Sequence, residues 1–248
     1  PAIVVQDHLR HASLTREYSL QELKIDDVQT LEACRDLTPI PSLRKLAITE
    51  LFWIDGQTLH KLLSGLPDLQ DLTILCYDIL GLDAFSETSP PLALLRLSGF
   101  FSIVRVLAPF STSTLRSICV DLESSDEFDR IPEEELAIGL PVTLTRYPQL
   151  RDLHVTFRSC NASVVKRFIS ALPYKDLRLS SFHITLESDY YSSFAPTFNR
   201  IVGPLRGKFP QSCAIVLDIP LNSLGTLSAN NLGELETVIG TVDDIFED

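Results

Sequence analysis

Apolar positions recur along this chain in a fixed short pattern. The string Tyr18-Ser-Leu20-Gln-Glu-Leu23-Lys-Ile25 returns as Pro41-Ser-Leu43-Arg-Lys-Leu46-Ala-Ile48 and again as Pro67-Asp-Leu69-Gln-Asp-Leu72-Thr-Ile74. Looser copies stand at Leu92/Leu95/Leu97 and Leu115/Ile118/Val120, followed by a clear one at Pro148-Gln-Leu150-Arg-Asp-Leu153-His-Val155. Tyr174/Leu177/Leu179 reads as a seventh, and Ser212/Ile215/Leu217 as a weaker eighth. The first apolar positions of the seven are separated by 23, 26, 23, 23, 35 and 24 residues. Near-equal spacing of this kind marks a stack of repeated units, each one supersecondary element.

The spacing also predicts what each unit is. The second and third apolar residues are two apart, so they share one face of a strand and point into a core. The residues between and beside them face the other way. Each unit must then return the chain to its starting side, and about a dozen residues suit a helix for that crossover. Thr58–Leu66 has apolar residues at helical spacing with Gly65 and Pro67 as a stop, and Ser163–Leu172 repeats the pattern before Pro173. The expected fold class is α/β: a right-handed solenoid or horseshoe, with a parallel sheet on its concave face and helices on its convex face.

With its L-x-x-L-x-L core and period, the chain resembles the leucine-rich-repeat superfamily. The P-x-L-x-x-L openings and irregular repeat lengths are most similar to the repeat region of fungal F-box-type proteins. The resemblance covers roughly residues 15 to 220. It departs from the common repeat three residues past the third apolar position, where Asn or Cys is usual. That site holds Val28, Leu51, Tyr77, Phe100 and Phe182, so apolar packing is expected to replace a ladder of buried amides. No F-box motif is present in the sequence itself; it is expected upstream if the chain is a fragment.

The period breaks at 121–147. Residues 121–135 carry eight acids against Arg130 alone, and residues 232–248 carry six acids and no base. These two stretches hold −7 and −6 of the net charge of −12, which leaves the rest of the chain at +1. A solvated loop leading into a helix at 133–147 is the plainer reading of the first, ahead of an acidic protrusion for a basic partner. Residues 190–248, with the aromatic run Tyr190–Phe198 and an amphipathic acidic end, read as a C-terminal cap. The expected organisation is thus a single domain over 1–248.

An acidic chain without a basic stripe is a poor ligand for nucleic acid or an anionic membrane, and no apolar run reaches transmembrane length. The N-terminus lacks the features of a signal peptide. Five scattered cysteines with no C-x-x-C pair argue against disulfides or zinc and for a reducing, cytoplasmic or nuclear setting. The motif scan finds no nucleotide-binding, metalloprotease or nucleophile-elbow pattern, and His8 with His11 is too small a set for metal. No cofactor is expected, and no enzyme activity.

The strand register instead nominates the residues on the open sheet face: Glu22, Lys24, Lys45, Asp71, Thr73, Arg96, Ser117, Asp152, His154, Asp176 and Arg178, with Ala47, Leu94 and Cys119 beside them. Asp152, His154, Asp176 and Arg178 are expected to gather in one corner. A mixed-charge face of this kind fits a protein-interaction module. The resemblance implies substrate recognition for an F-box-type ubiquitin ligase. A free-standing binder or enzyme inhibitor is the alternative, and catalysis a distant third, because an open sheet gives no shielded pocket.

Overall fold

A computed structural model describes residues 20–37, 39–81, 85, 92–111, 113–123, 139, 141, 143–158, 162–174, 176–187 and 213–218. The chain forms two compact units, Pro1–Val120 and Asp121–Asp248. Among the described residues it is an α/β protein of parallel strands in chain order with four α-helices.

In the first unit, β1 (Glu22–Ile25), β2 (Lys45–Asp55), β3 (Asp71–Leu80) and β4 (Arg96–Phe100) pair in parallel, each with the next. Strand β5 (Ser117–Glu123) follows. The register aligns the repeats: Leu23 with Leu46, Leu72 and Leu97, and Ile25 with Ile48 and Ile74. Ile25, Leu46, Ile48, Leu72, Ile74 and Leu97 are all at most 2% exposed, so the two inward columns form the core side of the sheet. The first apolar residue of each unit (Leu43, Leu69, Leu94, Leu115) forms a third buried column.

Successive units are also joined by one repeated backbone contact. The Gln21 carbonyl accepts from the N–H groups of both Arg44 and Lys45, each at 2.9 Å. Arg44 O does the same for Gln70 and Asp71, Gln70 O for Leu95 and Arg96, and Leu95 O for Arg116 and Ser117. The two residues between the first and second apolar positions are therefore fixed from unit to unit without any side-chain amide. Of the positions where a ladder was missing, Leu51 is buried but Val28 is exposed, so apolar packing substitutes at only some of them.

The crossovers are helices, α1 (Val28–Leu37), α2 (Gly56–Ser64) and α3 (Phe101–Leu107). Two begin with an Asp-x-x-Thr cap. Asp27 accepts from Thr30 N at 2.8 Å and from the Thr30 hydroxyl at 2.6 Å, and Asp55 accepts from Thr58 N at 2.8 Å. Each carboxylate satisfies N–H groups that a helix start leaves unpaired. Helix α2 buries Leu59, Leu62 and Leu63, the face its periodicity predicts.

In the second unit, β6 (Asp152–Arg158), β7 (Ser181–Glu187) and β8 (Ala214–Asp218) pair in parallel, with α4 (Ala162–Ala171) between β6 and β7. The same forked contact recurs: Arg151 O accepts from Ser180 and Ser181. Strand β8 aligns Ile215 with Phe182 and Leu217 with Ile184, so the stretch assigned to a cap contains a further repeat strand. The acidic segment 124–138, most of the expected helix 133–147, and most of 190–248 lie outside the described residues.

Two repeats sit in a different register from the one expected. In the fourth, Leu97 aligns with Leu72 and Gly99 with Ile74, so the apolar triplet is Leu94/Leu97/Gly99, not Leu92/Leu95/Leu97. Leu94 is fully buried, where an outward position was expected. In the seventh, Phe182 aligns with Leu153 and Ile184 with Val155, giving Leu179/Phe182/Ile184 in place of Tyr174/Leu177/Leu179. Among the described residues, no helix is long and apolar enough to cross a membrane.

Candidate functional site

Each strand buries one side and leaves the other side chains out. In the first unit the outward residues at the strand entries lie in register as Glu22, Lys45, Asp71 and Arg96, followed one step along by Lys24, Ala47, Thr73 and Ser98. Glu22, Lys24, Lys45 and Arg96 are exposed, while Asp71, Thr73 and Ser98 are half-buried. Ser117 and Cys119, on β5, are half-buried too. Arg96 takes the place in the first row that the expected register gave to Leu94, and Ser98 takes the place it gave to Arg96.

Charges alternate along the first of these rows, and its first two members pair. Lys45 Nζ lies 2.6 Å from Glu22 Oε1, and this hydrogen bond, with the carboxylate's charge, holds the ammonium above its ordinary range. Asp71 adds to the effect and Arg96 opposes it. Lys24 sits 3.7 Å from Glu50, the residue at which β2 bulges with a positive φ of 65°. These are exposed pairs, screened by solvent, and add little to stability. Their value lies in pattern.

Just outside that row, the first residues of the four entries add Gln21, Arg44, Gln70 and Leu95. Together with Glu22, Lys45, Asp71 and Arg96 they line a shallow concavity of about 480 Å³. Gln21, Arg44 and Gln70 fall outside the expected set because it held outward residues of the strands alone, and Leu95 because the expected register placed it inward. The signal was available: the first of the two residues between the apolar positions is also unburied, and it projects at the sheet's edge.

The second unit departs further from expectation. Asp152 and His154 lie on β6 as expected, but their register partners are Ser181 and His183. Asp176 and Arg178 precede β7 and do not join the sheet row, so the expected four-residue corner does not form. Arg178 instead offers its carbonyl to Arg151 at 3.3 Å. What the register brings together is a histidine pair. The His154 and His183 rings stack at 4.1 Å with 5° between their planes, and His154 Nε2 lies 2.9 Å from the Thr185 hydroxyl. His183 Nε2 is buried and makes no hydrogen bond among the described residues.

Burial lowers the pKa of His154, and His183 lowers it further, against smaller opposing effects from Asp121 and Asp218. Asp121 is itself mostly buried and bridges to Arg158 at 3.3 Å. A histidine against a hydroxyl is the first contact of a nucleophilic pair, yet Thr185 is 7% exposed and packed in the sheet, which suits a structural hydrogen bond. Parallel stacked rings point their nitrogens side by side, a poor arrangement for chelation. Among the described residues, no group of three or more His, Cys, Asp or Glu side chains converges as metal ligands do. Cys34, Cys76 and Cys213 are buried free thiols, and burial pushes Cys34 up to about 11, out of reach of thiolate chemistry at neutral pH.

No family model matches this chain, and no curated protein matches it.

Proposed function

We propose that this chain is a protein-binding module that engages its partner through the outward face of its sheet. The reading rests on one observation: the in-register row Glu22–Lys45–Asp71–Arg96, which leaves a polar, mixed-charge surface on the side of each strand away from the buried columns. Mixed charge held at fixed spacing gives a partner orientation and specificity more than raw affinity. The strand-helix step and its forked backbone contact also support the finer architectural reading, a right-handed repeat solenoid of the leucine-rich type. The resemblance to fungal F-box-type repeats extends the proposal to substrate selection for a ubiquitin ligase; co-purification with the ligase's adaptor from native extract tests that extension.

The test of the main reading is quantitative capture from native extract by wild type, by Lys45→Glu/Arg96→Glu, and by Lys166→Glu on helix α4. A partner that wild type and Lys166→Glu retain, and that the double variant loses, is the expected result. Capture that ignores the double variant, or that Lys166→Glu alone abolishes, contradicts it.

A further inference from the structure

Charge at the groove in the first unit is not balanced. Glu22 is engaged by Lys45, and Asp71 acts on the same ammonium. Arg44 and Arg96 line the concavity, and Arg116 stands at the next strand entry; all three are exposed and have no ion-pair partner among the described residues. A chain with a net charge of −12 therefore presents an edge with surplus guanidinium groups.

We propose that this groove binds an acidic peptide segment of the partner, with two carboxylates on one face of an extended chain. The proposal rests on the protein-binding reading above and names what that surface takes. A planar guanidinium meets a carboxylate through two parallel hydrogen bonds, which exposed lysines cannot reproduce. Arg44 and Arg96 belong to strand entries two steps apart, about 10 Å at the usual strand spacing. Alternate residues of an extended peptide share one face, and carboxylates two or four positions apart, about 7 or 13 Å, bracket that distance within the reach of two flexible arginine side chains.

Recognition has to run through side chains. The N–H groups of Arg44, Lys45, Gln70, Asp71, Leu95 and Arg96 are all taken up by the forked contacts between repeats, so the groove offers those donors to no added strand. Glu22 and Asp71 exclude a phosphate-dense polymer by the same charge logic. Each would face backbone phosphates at close range, whereas a peptide can place neutral or basic residues opposite them.

Fluorescence anisotropy on the full chain tests this with three labelled Gly/Ser/Thr peptides, carrying Glu, Gln or Lys at three alternate positions, and a short single-stranded oligonucleotide. Wild type is expected to bind the Glu peptide and not the Gln peptide. Arg44→Glu/Arg96→Glu should weaken the Glu peptide by about tenfold or more and create binding to the Lys peptide. Unchanged melting of the variant by circular dichroism, with Lys166→Glu as a charge control, separates lost contacts from lost fold. Equal binding of Glu and Gln peptides, indifference to the double reversal, or tighter binding of the oligonucleotide overturns the proposal. If no acidic peptide binds while capture still depends on Lys45 and Arg96, this inference fails and the protein-binding surface stands. If neither depends on them, both fail.

Discussion

A Cβ on Gly99 would lie 2.6 Å from the Ile74 carbonyl oxygen on β3, with Ile103 of α3 at 3.4 Å. Backbone cannot yield as a flexible side chain does, so Gly99→Ala should destabilise the protein by roughly 1–3 kcal/mol, read as a lower midpoint in urea. The same crowding explains why the fourth repeat is hard to find by pattern. Its third inward position carries no side chain because Ile103 fills that space, and Leu92, Leu95 and Leu97 offer a better apolar match two residues early. The seventh repeat is hidden differently. Leu177 and Leu179 are both buried ahead of β7, so their spacing imitates a strand that begins only at Ser181. Once the register moves, His183 arrives beside His154, which no spacing rule on either histidine alone foretells.

In that pair, His154 should make stability depend on pH. The folded state holds His154 below its ordinary value of 6.5, so between the two values the unfolded chain binds more protons. Stability should therefore fall as pH drops below about 6.5, before carboxylates titrate. His154→Gln should flatten that slope in thermal melts between pH 7 and 5. An unchanged slope would show that His154 does not control it. The pair's packing also means that His154 is not a surface group whose removal leaves the fold untouched.

At the scale of elements, what the sequence makes legible is the column, because one Leu or Ile per unit recurs at a period no coil would keep. Strand existence, the helical crossovers at 56–64 and 162–171, and the inward faces follow from it. The forked backbone contact leaves no trace in residue type, and neither does the grouping of the chain into two compact units, so both needed coordinates. Leu72 in the first unit and Leu153 in the second hold the same inward position of their repeats, and both are at most 1% exposed. Leu72→Ala should lower stability by about 2–5 kcal/mol, and Leu153→Asp should leave no cooperative thermal transition, since it buries a charge among apolar neighbours. Asp55→Ala removes the acceptor for Thr58 N and should lower the melting temperature; because its partner is a backbone donor, Asp55→Ser should restore much of the loss.

At the scale of the whole molecule, the balance of charge argues for selectivity over adhesion. The net negative charge is concentrated in two stretches of sequence, while the strand entries of the first unit carry arginines without ion pairs among the described residues. Partner binding through such a face should weaken between low and moderate salt, mainly through a slower association rate. Surface plasmon resonance at two ionic strengths separates that from a purely apolar contact, which salt would leave unchanged or strengthen.

Lysine labelling with the captured partner bound tests the binding surface most directly. Lys24 and Lys45 project from the outward side of β1 and β2, and Lys61 and Lys166 from helices α2 and α4, all four exposed in the free protein. Protection of Lys24 and Lys45 from acylation, with Lys61 and Lys166 as reactive as in the free chain, is the predicted result. Protection of the two helical lysines with Lys24 and Lys45 left reactive would contradict it.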